Sequence, residues 1–301
     1  MPSPTMCPRP EPPQQVADRA PGSPARGGGR RPWNGVEEIP PAWGPSAITI
    51  GVFDGVHRGH TRLIERTIQA AQRHRVPSVL VTFDPHPARV IGPPRDTATL
   101  STPARRAELA GRLGVDAVLV LPFTPALART PADAFATRVL VDNLHAVAVV
   151  VGRNFRFGAG GKGDLATLRH LGHRHGFTVE GVPLLHTAQS RCSSTYVRHC
   201  LSSGDLAAAT RALGRPHRVE GRLSEGTLTV PAYTALPPQN RRFPGLLTLE
   251  SGITHPVSAL VAAPDTIRLL GGPHCPEHSW AALDLLAADQ LRRDDYPNSP
   301  P

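Results

Sequence analysis

Lysine is almost missing from this chain. Lys162 stands alone, and arginine carries nearly all the positive charge behind a formal net charge of +9 over 301 residues. No block of Lys and Arg is interleaved with aromatics, which make up only 5 % of the residues, and this argues against a nucleic-acid partner. The excess positive charge suits small anionic ligands such as nucleotides. Long apolar runs are lacking as well: none approaches the roughly 18–20 residues of a membrane span, and the first residues lack the apolar core of a secretory signal. Cysteine is sparse. Cys7, Cys192, Cys200 and Cys275 show no Cys-x-x-Cys spacing, so neither a zinc site nor a disulfide framework is indicated. A cytoplasmic protein with free thiols is expected, with no membrane partner and an oligomeric state that composition leaves unknown.

Residues 1–45 are rich in Pro, Gly and Arg and offer little apolar surface to bury, so a flexible extension is expected, with a short piece around Trp33 and Val36 docking on the domain that begins near Ser46. From Ser46 the pattern alternates. Apolar, β-branched runs at 47–52, 78–83, 117–121, 146–151 and 178–184 are separated by segments with helical spacing at 61–74, 103–113, 130–143 and 164–175. Fully apolar strands divided by helices predict an α/β fold with a parallel sheet covered on both faces, whose ligands bind beyond the C-terminal strand ends. Two short helices come next, capped by Ser193 or Ser194 and by Gly204-Asp205. Beyond Pro216, residues 217–262 hold short apolar pieces broken by Gly and Pro, as in a small β domain. Residues 281–293, with Leu283, Leu286, Ala287 and Leu291 at helical spacing, predict a closing amphipathic helix.

The unusual residues fall at the expected strand ends. Gly51, Phe53, Gly55, His57, Gly59 and His60 follow the first strand and open a helix. Unpaired N–H groups and the dipole make such a start an anion site, and two imidazoles there can donate to phosphate. The plainer alternative is capping and surface polarity; a metal site is less favoured, because no nearby Cys or carboxylate completes a ligand set. Phe83, Asp84, Pro85 and His86, before Pro87, form a rigid exit from the second strand. Asn154, Phe155, Arg156, Phe157 and Gly158 follow the fourth strand, where Phe can pack on a flat ring or simply on its own loop. Ser194, Thr195 and Arg198 can share one helix face as a triphosphate grip, or serve only as a capping box.

Taken in order, TIGVFDGVHRGH (49–60), TFDPHP (82–87), VVGRNFRFG (150–158), Pro183-Leu184, RCSSTYVR (191–198) and LSSGDLAAATRALGRP (201–216) resemble the prokaryotic bifunctional riboflavin kinase/FAD synthetase family, in its FMN adenylyltransferase domain. The resemblance covers about residues 36–221. It implies a Rossmann-like nucleotidylyltransferase domain over 46–214, followed by a small, degenerate β-barrel-like domain over 215–301. It implies transfer of AMP from ATP to FMN, giving FAD and pyrophosphate, with Mg2+. His57 and His60 match the pair that contacts the ATP phosphates and stabilises the transition state, and Asn154 matches a loop asparagine implicated in catalysis. Arg191, Ser194, Thr195 and Arg198 match the phosphate-gripping motif. Gly51, Phe53, Gly55 and Gly59 fall on the ATP side; Phe83, Asp84, Pro85, His86, Phe155 and Phe157 fall on the flavin side. Metal ligands are not indicated.

The resemblance fails in the second half. The family's kinase barrel carries Gly-Phe-Pro-Thr-Ala-Asn, whose Thr and Asn serve Mg2+ and ATP. Here the corresponding stretch offers only Val230-Pro231-Ala232-Tyr233, and riboflavin kinase activity is not expected. A monofunctional FAD synthetase is the leading expectation. A nucleotidylyltransferase acting on a flavin analogue or another phosphorylated small molecule, and a non-catalytic flavin or nucleotide binder, remain as alternatives.

Overall fold

The computed structural model describes residues 31–91, 97–183, 185, 192–271 and 279–288. Six strands form the first sheet: β1 (Trp33–Asn34), β2 (Ser46–Ile50), β3 (Ser78–Asp84), β4 (Ala117–Pro122), β5 (Ala146–Gly152) and β6 (Thr178–Val182). All neighbours run parallel, in the order β1-β4-β3-β2-β5-β6. The helices are α1 (Arg58–His74), the short α2 (Pro87–Val90), α3 (Pro103–Arg112), the short α4 (Pro125–Ala128), α5 (Ala132–Phe135) and α6 (Leu165–His175). Helix α5 continues in a wider winding through Ala136–Asn143.

The strands are apolar throughout because helices cover both faces. Ile48, Ile50, Val79, Val81, Leu119, Leu121, Val149 and Val151 pack against Phe135, Val139, Leu140, Leu168 and Leu171. On the opposite face Leu80, Val118 and Val120 meet Ile64 of α1 and Ala107 and Ala110 of α3. The alternation expected from sequence is therefore observed, with one strand more. Trp33–Asn34 pairs with β4, and Trp33 meets Trp43 edge-on at 4.7 Å. The segment around Trp33 thus docks as expected, whereas the expectation for residues 1–30 lies outside the described residues.

The sheet order has a direct consequence. Strand β2 sits between β3, which leads towards one edge, and β5, which leads towards the other. The crossovers change direction there, so a crevice opens beyond the C-terminal ends of β2 and β5.

Helices α7 (Ser194–Ser203) and α8 (Leu206–Leu213) lead into a closed antiparallel barrel. Its strands are β7 (His217–Ser224), β8 (Thr227–Thr229), β9 (Arg242–Leu249), β10 (Thr254–Ala263), β11 (Thr266–Leu270) and β12 (Ser279–Leu285), in the order β10-β11-β8-β7-β12-β9. Val219, Leu223, Leu228, Leu247, Val261, Ile267 and Leu283 fill its interior and form one core with Val197, Leu201 and Leu213 of α7 and α8.

The closing helix expected near the C-terminus is not what forms. Residues 279–285 are a strand: Ala281, Leu283 and Leu285 are buried in strict alternation, and the strand closes the barrel between β7 and β9. Leu283, Leu286 and Ala287 fit a helical stripe, but 281, 283, 285 and 287 fit period two equally well, and two strand edges left to pair decide between them. Leu291 and the rest of the expected helix beyond 288 lie outside the described residues.

Candidate functional site

The chain leaves β2 through a contorted turn. Phe53 (φ 51°) and Val56 (φ 38°) both adopt positive φ, as does Gly55 (φ 78°). For a β-branched residue such as Val56 this is an outlier that only surrounding contacts can maintain. A Cβ on Gly55 would fall 3.0 Å from Leu100, so the residue there must be glycine on two counts.

Each carbonyl of the turn has a partner. Val52 O accepts from Thr82 Oγ1 (2.7 Å) and Arg106 Nη1 (3.1 Å). Phe53 O accepts from Val56 N, and Asp54 O from Ser194 Oγ (2.9 Å). Gly55 O and Val56 O accept from the Arg215 guanidinium.

The Asp54 side chain is buried. It accepts from Leu100 N (2.9 Å) and Ser101 N (3.1 Å) and pairs with Arg198 Nη2 at 2.6 Å.

This turn presents the two histidines. His57 caps α1, with its Nδ1 accepting from His60 N at 3.3 Å. That contact leaves the ring proton on Nε2, which makes His57 a neutral donor. The two imidazoles stack, with centroids 3.6 Å apart and planes 18° from parallel. Phe53, fully buried, lies under His60 at 4.9 Å. A Cβ on Gly59 would sit 3.1 Å from the His57 ring, so only glycine lets the helix start close over the imidazole.

Burial, then the charges of Arg215 and Arg198, lower the His57 pKa to about 4. Burial, then His57 itself, hold His60 well below the usual range. Both are neutral at pH 7, and neutral stacked imidazoles can donate to an anion without repelling each other. His60 Nδ1 is buried and has no hydrogen-bond partner among the described residues.

The low His57 pKa carries a stability prediction. Between pH 6.5 and 4 the unfolded chain protonates at this position while the folded chain does not. Stability therefore falls as pH falls through that window, by up to about 3 kcal/mol at roughly 1.4 kcal/mol per pH unit, and His57 adds no slope above it. Urea unfolding between pH 4 and 7.5 should show the slope, and His57→Gln should make it shallower.

The other expected residues fall into two groups. Asn154 is exposed two residues beyond β5, the strand that pairs with β2. Thr195 is exposed at the start of α7 and Gly51 is half-buried at the end of β2. Phe83 is half-buried, edge-on to Phe123 at 5.6 Å, and leads into exposed Asp84 and Pro85 and half-buried His86. His86 Nδ1 accepts from Ala88 N, and burial followed by Arg198 lowers its pKa.

The second group faces inward. Arg198 bonds Asp54 and Ala98 O (2.6 Å), and Ser194 bonds the turn. Phe157 is buried between Phe155, stacked at 5.4 Å, and Phe135 at 6.1 Å. In this structure Phe53 packs on His60, Ser194 and Arg198 hold the 52–56 turn and loop 98–101, and Phe157 packs within its own aromatic cluster. Arg191 lies outside the described residues.

Sequence reasoning missed Asp54, Ser101, Arg106 and Arg215. Asp54 has a signal, a carboxylate inside an otherwise apolar turn. Arg106, buried and bonded to Val52 O, Thr82 Oγ1 and Phe83 O, has only its place beside Ala107 and Ala110 on the inward face of α3.

Among the described residues no helix is long and apolar enough to cross a membrane, and no three His, Cys, Asp or Glu side chains cluster as metal ligands.

A family model described as FAD synthetase matches residues 39–196 of this chain. The chain is 41 % identical over 192 residues to the bifunctional riboflavin kinase/FMN adenylyltransferase of Pseudomonas fluorescens, covering 64 % of this chain and 61 % of that protein. It is 34 % identical over 179 residues to the protein of the same description from Escherichia coli K12, covering 60 % of this chain and 57 % of that one. The matches thus span about three-fifths of these relatives. A crystal structure titled macrolide-efflux protein, from Streptococcus pneumoniae, superposes with a TM-score of 0.72 over 86 % of this chain and 93 % of its own, at 21 % identity; that likeness concerns the fold alone.

Proposed function

The chain belongs to the FAD synthetase family, and from that premise we propose that it transfers AMP from ATP to FMN in the cytoplasm, giving FAD and pyrophosphate, without phosphorylating riboflavin. The observation that carries this reading is the stacked, neutral His57–His60 pair at the start of α1, which follows the C-terminal end of β2, with Asn154 just beyond the neighbouring strand β5.

An FMN phosphate oxygen attacks the α-phosphorus of ATP. The new P–O bond forms as the bond to the bridging oxygen breaks, and pyrophosphate leaves with that electron pair. No protein nucleophile is required; alignment and stabilisation of charge on the phosphate oxygens are. His57 Nε2–H, His60 and the first N–H groups of α1 donate to those oxygens. Asn154 orients the nucleotide from the β5 side, and Thr195 and Arg191 complete the grip. Arg198 enters chiefly as a brace of Asp54. Ile91, 45 % exposed just after the 84–87 loop, adds apolar surface beside Phe83, Pro85 and His86, where the flavin ring rests.

Mg2+ would enter with ATP. The imidazoles suit phosphate oxygens rather than a hard cation, and Asn154 and Thr195 are the oxygen donors that would help hold the ion, so the nucleotide phosphates would supply most of its ligands. When bound, it neutralises charge on the transferred and leaving phosphates.

The division at 214/215 separates this transferase unit from the barrel. In the barrel, the segment corresponding to the family's Mg2+- and ATP-binding motif is engaged elsewhere. Tyr233 O accepts from Thr99 N, Ala235 N donates to Thr99 O, and Thr234 Oγ1 donates to Pro231 O. These bonds support a structural role for residues 230–235.

The test is chromatography of products after incubation with ATP, Mg2+ and either FMN or riboflavin. FAD from FMN and no product from riboflavin is the expected result. FMN formed from riboflavin would overturn the assignment of the barrel, and absence of FAD would overturn the transferase.

A further inference from the structure

The hydrogen bonds of the 52–56 turn show that its shape is imposed from outside. Three positive-φ positions within four residues, two of them non-glycine, place the His57 backbone where α1 can begin. Thr82 and Arg106 hold Val52 O, and Ser194 holds Asp54 O. The Asp54 carboxylate and Ser101 Oγ fix the far side, the latter accepting from Gly55 N at 2.8 Å.

The last two carbonyls before His57 belong to one side chain. Arg215 Nη2 reaches Gly55 O, and Nη1 reaches both Val56 O and Leu213 O at 3.1 Å. Arg215 is no part of the sheet or its loops. It follows the left-handed end of α8 at Gly214 (φ 77°) and precedes Pro216 and the first barrel strand. Pro216 restricts the backbone of Arg215, so the guanidinium is aimed from a fixed base.

We propose that Arg215 is a positioning residue of the transfer site, through which the join between α8 and the barrel fixes the turn that presents His57 and His60. The barrel thereby contributes to adenylyl transfer without touching a substrate. A second strut supports the same arrangement. His217 of β7 is buried, and its Nε2 donates to Ala235 O at 2.8 Å. Ala235 N in turn donates to Thr99 O, and the next two residues, Leu100 and Ser101, donate to Asp54. The start of β7 therefore reaches the turn by two routes.

Planar geometry is the point of the arrangement. One guanidinium spans two successive carbonyls with a rigid planar fork, whereas a lysine ammonium offers rotatable donors from a single nitrogen on a flexible stem and does not fix their relative positions. The positive charge has its own effect. Arg215 and Arg198 both disfavour protonation of His57. Among the described residues, the stacked His60 ring and the Cys192 side chain, with Sγ 3.7 Å from Nδ1, also lie against His57.

The inference rests on the transferase reading, and the test separates the two. R215K and R215M are made in the full chain. kcat and KM for FAD formation are measured, and the His57 imidazole is titrated by NMR, its signal assigned by its loss in His57→Gln. In R215M we expect kcat about tenfold lower with KM for ATP changed less than kcat, as for an interaction that orients the transition state, and His57 titrating at higher pH. In R215K, which keeps the charge and loses the fork, we expect a similar kcat loss with His57 titrating as in the unaltered protein. A kcat within about twofold of the unaltered protein in R215K overturns the proposal, even should R215M fail to fold. Inactive unaltered protein would instead overturn the transferase reading, and His57 titrations that R215M leaves unmoved would still count against Arg215.

Discussion

Replacing Asp54 by alanine is expected to lower the stability of the chain by about 3–5 kcal/mol, the range for removing one partner of a buried ion pair. The carboxylate is 2 % exposed and its partner Arg198 is 6 % exposed, so neither has water to fall back on. Alanine would leave the guanidinium unpaired and strip the buried N–H groups of Leu100 and Ser101 of their acceptor. Each orphaned donor adds roughly 1–3 kcal/mol. Against a typical total of about 5–15 kcal/mol, that is a large fraction. Urea unfolding should show a lower midpoint with an unchanged slope. Asp54→Asn, which keeps the shape and one acceptor oxygen, should lose less. Arg198→Met should be destabilising alone, yet should recover at least about 1 kcal/mol in the Asp54→Ala background, because no uncompensated charge then remains. A loss below about 1 kcal/mol in Asp54→Ala would show that loop 98–101 does not depend on this carboxylate.

Asp54 also illustrates what a sequence can and cannot disclose. The parallel sheet was legible because its strands carry one signal repeated: continuous apolar, β-branched runs that only double burial accounts for. Helix starts were legible because capping chemistry is local. Asp164 caps α6 and Ser193 caps α7 through bonds that span three residues. His57 and His60 were legible for the same reason, since three residues and a helix start bring them together.

Asp54, Arg106 and Arg215 reach the groups they hold in and around the turn over separations of 23 to 160 residues; the setting of Asp54 marks it as unusual but not its partners, and nothing local marks Arg106 at all. Arg198 shows the reverse case. Its place one helical turn beyond Ser194 suggested a shared phosphate grip, but the long-range contact with Asp54 turns its guanidinium inward. The misread strand at 279–285 belongs with these. Its alternation over seven residues is too short to separate a period of two from a helical stripe, and the edges of β7 and β9 that decide it lie 30 or more residues away in the chain.

His57→Ala and His60→Ala should each lower kcat for FAD formation by roughly tenfold to a thousandfold, the range for losing one transition-state hydrogen-bond donor. The two losses should not multiply in the double variant. The rings stack at 3.6 Å and His57 Nδ1 holds the His60 backbone, so removing either one disturbs the other. The effect should fall on kcat more than on KM for ATP, because the donors matter most when charge accumulates on the transferred phosphate. His57→Gln, with an amide in place of the imidazole N–H, should recover part of the loss. The pH dependence tests whether His57 keeps one protonation state throughout turnover. A base with the His57 pKa of about 4 would already be fully deprotonated at pH 6 and above, and a donor through Nε2–H needs that same neutral form. The rate should therefore be flat in His57 protonation from pH 6 to 8, and the loss in His57→Ala should be constant across that range. A loss that varied tenfold between pH 6 and 8 would mean that His57 titrates near neutrality and exchanges a proton during turnover. Unchanged kcat in both single variants would remove the histidines from the reaction altogether.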